Sequence, residues 1–72
     1  LALPAGARVS CAVYDVGGRF VRGLLDTPLP AGTHRLAWDT ADDRGAPVAG
    51  GLYFVRLEVA GVRLVRRLAV LR

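Results

Sequence analysis

Seventy-two residues, 53 % hydrophobic and 22 % charged, with nine Gly, four Pro and one Cys, make one small domain and leave no room for a second. A chain this short buries only about 60 % of the surface its unfolded form exposes, so it has one thin core and little stability to spend on a strained active site, which excludes most enzymes. Arg interrupts every apolar stretch well before the roughly 18 positions that a membrane-spanning helix needs.

All ten cationic side chains are Arg, and five Asp with one Glu leave a net charge of +4 and a pI near 10.6. Such a balance favours polyanions. The Arg residues are spread along the chain (Arg8, Arg19, Arg22, Arg35, Arg44, Arg56) and cluster only at Arg63, Arg66, Arg67 and Arg72, which favours a solvated face over a designed one. Cys11 has no partner in the chain, so packing alone must hold the fold. The start at Leu1, with no charged segment ahead of an apolar one and a patterned stretch by residue 7, predicts a piece of a longer chain.

Between Ala7 and Asp15, Ala7, Val9, Cys11 and Val13 alternate with Arg8, Ser10, Ala12 and Tyr14, the period-2 pattern of a strand with one buried face. Val16, Gly17 and Gly18 supply a tight reversal, and Arg19–Asp26 returns as the second arm of a hairpin. In Pro30-Ala31-Gly32, Gly follows where a type II turn wants positive φ. A third strand is predicted over Thr33–Asp39, with His34, Leu36 and Trp38 on one face. Thr40–Gly51 carries too many Asp, Gly and Pro for a regular element beyond a few extended residues around Val48. Leu52–Val59 is the richest β segment, with Tyr53, Val55, Leu57 and Val59 on one parity. Ala60-Gly61 turns it into a partner strand over Val62–Leu71, where a bulge or twist at Arg66-Arg67 would let both Val65 and Leu68 reach the core. No segment has a sustained 3.6-residue apolar stripe. The class is all-β, an antiparallel sandwich or small barrel, because one-faced sheets must cover each other.

Few residues carry chemistry. Asp39, Asp42, Asp43 and Gly45 sit close enough for an oxygen-ligand calcium loop, but not at EF-hand spacing; Asp carboxylates bonded to turn amides are the preferred reading. His34 and Cys11 are the only residues of their kinds, and no third group supports a nucleophile. His34 is expected at the rim and Cys11 as a small core residue. Trp38 and Tyr53 fall on inward parity and are expected to anchor the core in preference to binding a ligand. Gly17-Gly18 and Gly50-Gly51 precede strands and not helices, so no phosphate cradle forms. No cofactor, metal or small-molecule substrate is expected.

Val13-Tyr14-Asp15, Gly18-Arg19, Val21-Arg22, Leu29-Pro30-Ala31-Gly32, His34, Leu36 and Trp38-Asp39 together resemble the immunoglobulin-like domain of the flagellar hook-capping protein family. Asp42-Asp43, Gly45, Pro47-Val48-Ala49, Gly51-Leu52-Tyr53-Phe54, Leu57, Arg67-Leu68 and Val70-Leu71-Arg72 are similar both to that domain and to the C-terminal sorting domains of type IX secretion cargo. The resemblance implies a seven-stranded immunoglobulin-like β-sandwich whose first strand is truncated or missing here, since the chain starts just ahead of Leu3-Pro4. It further implies a non-catalytic C-terminal module of a secreted or cell-surface protein, attached to an upstream passenger domain and serving secretion sorting, attachment or spacing. The sorting strand carries over to Arg66, Arg67, Leu68, Val70, Leu71 and Arg72, read by outer-membrane secretion machinery. The alternative, carried by the net charge and the Arg-rich last hairpin, is a small basic β-barrel that binds nucleic acid. Only five aromatics are present and no exposed stacking pair is evident, so no nucleic-acid partner is expected.

Overall fold

The computed structural model describes all residues, Leu1–Arg72. Six strands form in chain order: β1 (Ala2–Leu3), β2 (Ala7–Asp15), β3 (Phe20–Leu29), β4 (Gly32–Thr33), β5 (Gly51–Val59) and β6 (Val62–Val70). There is no helix, as the missing 3.6-residue stripe predicts. A four-stranded sheet in the order β3-β2-β5-β6 faces a two-stranded sheet of β1 and β4, and every pairing is antiparallel. The architecture is an all-β sandwich with one full layer and one short one. Six strands stand where seven were expected, and β1 is only two residues long.

The alternation in β2 buries Val9, Cys11 and Val13, which lie opposite Val59, Leu57 and Val55 of β5. The β2–β3 reversal is built by Asp15. Its carbonyl accepts from the Gly18 amide at 3.0 Å, and its carboxylate accepts from the amides of Gly17 and Arg19, both at 2.9 Å. Gly18 takes φ 83° there, a conformation that costs glycine nothing.

β3 runs three residues past its expected end, through Pro28. Proline fits because β3 is an edge strand with a free side for the missing donor. Opposite β2 its register jumps twice, between Cys11 and Ala12 and between Val13 and Tyr14. These bulges leave Leu24 and Val21 without direct partners, and both pack against the core. The bulge expected in β6 does not form. β6 pairs with β5 in unbroken register, Tyr53 opposite Leu68 and Val55 opposite Arg66. Leu68 therefore packs on the core, Val65 points outward at 48 % exposure, and Arg66 takes an inward position.

The third predicted strand is corrected as well, because only Gly32–Thr33 pairs. His34–Asp39 keeps its alternation, with His34, Leu36 and Trp38 half-buried and Arg35, Ala37 and Asp39 exposed. What it lacks is a neighbour. The Leu1 carbonyl accepts from the His34 amide at 2.7 Å and the terminal ammonium of Leu1 donates to the His34 carbonyl at 3.0 Å; beyond that pair the main chain of Arg35–Trp38 makes no hydrogen bond.

Six residues are buried: Leu3, Val9, Cys11, Val13, Tyr53 and Val70. Val13, Tyr53 and Val70 form the centre, with Val21, Leu24, Trp38, Val48, Val55 and Leu68 packed around them. The accessible surface is 4953 Å², against about 4,300 Å² for a folded chain of this mass. The radius of gyration is 12.8 Å, against about 11 Å for this length. Both excesses reflect a sandwich that stands open on one side.

Candidate functional site

The aromatic pair at the centre is structural in its geometry. Trp38 and Tyr53 meet edge to face at 5.3 Å between centroids. The indole N–H donates to the Ala41 carbonyl at 2.8 Å and the Tyr53 hydroxyl to the Ala49 carbonyl at 2.6 Å, so each ring spends its polar tip on the loop that follows Trp38. Both are the packing anchors that parity predicts.

The acidic loop folds around its own amides. The Asp42 carboxylate accepts from Arg44 N at 2.9 Å and Ala46 N at 3.0 Å. Asp39 accepts from Ala41 N, and Asp43 reaches across to Gly23 N on the free edge of β3, both at 3.0 Å. Carboxylates so occupied are turn and docking devices, which is the preferred reading of Asp39, Asp42, Asp43 and Gly45. Cys11 is buried in the sheet face, and burial pushes its thiol above the ordinary value, the opposite of nucleophile activation. His34 is half-buried and its Nε2 donates to the Pro30 carbonyl at 2.8 Å, a turn contact close to the rim position expected.

The six C-terminal residues singled out from the sequence divide between core, surface and clamp. Val70 is buried and Leu68 packs beside it. Arg66 and Arg67 are exposed on β6 opposite Val55 and Phe54, and Leu71 is 91 % exposed. Arg72 Nη2 donates to Thr40 Oγ1 at 2.7 Å. They form one edge of the sheet without converging on a point.

Between the inner face of β5–β6 and the unpaired segment lies a cleft of about 260 Å³, lined by Leu24, Leu36, Trp38, Leu57 and Leu68, with Arg66 as its one charged residue. Sequence reasoning did not find it. Its signal was the inward parity of Leu64, Arg66 and Leu68, which the expected bulge obscured. Also missed was the outer face, where the Arg56 guanidinium stacks 4.3 Å from the Tyr14 ring centre and Phe20 meets Tyr14 edge to face at 6.0 Å.

Residues 1–61 match the family model of the FlgD Ig-like domain. The chain belongs to that family. The sandwich is thus an Ig-like domain, and β6 lies beyond the matched span. No curated protein and no solved structure matches the chain. An Ig-like domain of this family suits a non-catalytic module.

Proposed function

We propose that this Ig-like domain is a non-catalytic module of a secreted or cell-surface protein. It attaches or spaces an upstream passenger domain, and its C-terminal run Arg66–Arg72 serves as the strand that outer-membrane export machinery reads. The family match over residues 1–61 carries the modular part. The sorting part is supported by Arg66 and Arg67, exposed on the edge strand β6, and by the exposed Leu71 just beyond it, where a partner has access to both side chains and backbone.

The test must spare the fold. Deleting Arg66–Arg72 would remove Val70 from the core and Arg72 from Thr40, so lost export would follow from unfolding alone. The informative variants are Arg67→Glu and Leu71→Asp, at exposed positions, in a reporter fusion expressed in a bacterium with type IX secretion. Export should fall while the thermal transition of the purified fusion stays put. Unchanged export of both variants removes the sorting role and leaves attachment or spacing.

A further inference from the structure

Val9, Cys11 and Val13 turn one side of β2 to the short layer, so Ser10, Ala12 and Tyr14 lie on the side that faces away from it and from Leu1. The strand register sorts the outer residues of β3, β2 and β5 into three rows: Asp26, Ser10 and Glu58, then Gly23, Ala12 and Arg56, then Phe20, Tyr14 and Phe54. The first row is polar and the last aromatic. They stand four residues apart along β2, about 13 Å, and over the small side chains between them lies a depression of about 320 Å³, bounded by Phe20 at one end and by Asp26 and Glu58 at the other.

Both ends carry groups that the protein itself leaves unused. The Arg56 guanidinium lies over the Tyr14 ring at 4.3 Å, so Phe20, 54 % exposed, is the ring left free to stack. Arg8 engages Asp26 through Oδ1 alone, and Arg63 engages Glu58 through Oε1 alone. The second oxygen of each carboxylate remains an acceptor, oriented by an ion pair in which it takes no part.

We propose that this depression binds a neutral glycan, with one pyranose ring lying over Gly23 and Ala12. The charges select the class. Carboxylate acceptors call for a ligand rich in donors, which hydroxyls supply, and they repel phosphate or uronate groups. Hydroxyls of the ring donate to Asp26 and Glu58 and accept from Arg56. Its apolar C–H face meets the Phe20 ring, whose π face is negative, and an all-equatorial pyranose presents such a face unbroken. A concave surface with an aromatic wall and a few placed polar groups has the usual form of a small-ligand site. This activity goes beyond sorting or spacing and stands whether or not export machinery reads β6.

The experiment titrates the 72-residue domain with cellotetraose and follows the backbone amides by NMR. Shifts should centre on Ser10, Ala12, Gly23 and Arg56 and saturate in the millimolar range. Phe20→Ala, at an exposed position, should weaken binding roughly tenfold while the thermal transition stays close to wild type, and Phe20→Tyr should retain it. Gly23→Ala places its Cβ 3.6 Å from Phe20 Cζ, an ordinary contact, and should weaken binding by raising the floor, which keeps the test decisive if Phe20→Ala fails to fold. Tetragalacturonate and an eight-residue oligothymidylate should bind more weakly than cellotetraose. The proposal is overturned by the absence of saturable shifts at millimolar cellotetraose, by shifts confined to the opposite face of the sheet, or by undiminished binding in both weakened variants. Tighter binding of either acidic probe at physiological salt also overturns it and marks the face as a polyanion site.

Discussion

Arg72 holds Thr40 in a conformation that threonine avoids. Thr40 sits at φ 60°, where a β-branched residue is strained. Its hydroxyl accepts from Arg72 at 2.7 Å and donates to the Asp39 carbonyl at 2.6 Å, while its carbonyl accepts from the Val48 amide at 3.0 Å. Arg72 thereby pins the corner at which the unpaired segment ends. Thr40→Asn, which tolerates this φ and retains a polar side chain, should stabilise the domain by about 0.5–1 kcal/mol. Arg72→Ala should cost about 0.5–1.5 kcal/mol. Urea denaturation checks both.

Trp38→Ala should remove about 3 kcal/mol, the lower end for such truncations because the ring is only half-buried. A domain of this size has roughly 4–10 kcal/mol in all, so its melting temperature should fall by about 12–24 °C. Trp38→Phe keeps the edge-to-face contact with Tyr53, loses the bond to Ala41 and should cost less. Calorimetry orders the three proteins; equal melting of wild type and Trp38→Ala would deny Trp38 its anchoring role.

The β5–β6 turn has an ill-fitting first residue. Ala60 and Gly61 adopt φ 48° and 81°, the two positive values of a type I′ turn, for which Asn-Gly is favoured. Ala60→Asn should raise stability by about 0.5–1 kcal/mol, read as a shift of the urea midpoint at constant slope.

Cys11 gives the fold a sensitivity to alkali. Burial raises the folded-state thiol above its ordinary value of 9.0, so above that pH the unfolded chain binds fewer protons than the folded one and stability falls as pH rises. Below it the contribution is fully present. Cys11→Ala should flatten this alkaline decline relative to wild type in melting curves collected from pH 7 to 10. Native Cys11 should also react with an aromatic disulfide reagent far more slowly than the urea-unfolded chain.

Part of the positive charge is paired within the molecule, in ion pairs at its surface. Arg8 pairs with Asp26 at 2.9 Å, Arg63 with Glu58 at 3.0 Å, and Arg22 donates to the Asp42 carbonyl at 2.8 Å. Single-stranded oligonucleotide should therefore associate weakly and be released by physiological salt, as generic attraction to a basic surface is. Titrations by fluorescence anisotropy at rising salt measure this. Binding that survives well above that salt would revive a nucleic-acid role.

The sequence disclosed which side chains face inward more readily than which strands touch. Val9, Cys11, Val13, Tyr53 and Trp38 all fall on the face that alternation assigns, and the hairpin turns lie where Gly18 and Ala60-Gly61 place them. Alternation at His34–Asp39 was equally legible, yet it reports burial and is silent on hydrogen-bonding neighbours, so the missing partner was invisible. Apolar residues three apart did signal a bulge, but in β3, at Val21 and Leu24, and not at Val65 and Leu68. The unbroken pairing of β6 puts Arg66 inward, which is tolerable only because the cleft gives its guanidinium a way to water. The cleft depends on two layers of unequal extent, a relation between distant segments that no local pattern encodes.

The paired irregularities in β3 also act on the unfolded chain's search for its native alignment. A smooth hairpin can slip and still find partners, but a one-residue slip flips its side chains to the opposite face. Here a slipped arm would carry its two kinks past β2 positions that cannot receive them, and Asp43 would lose its anchor at Gly23. Wrong alignments are thus penalised twice along one ten-residue strand. That works as a ratchet for a domain whose core is too thin to correct mistakes by burial alone.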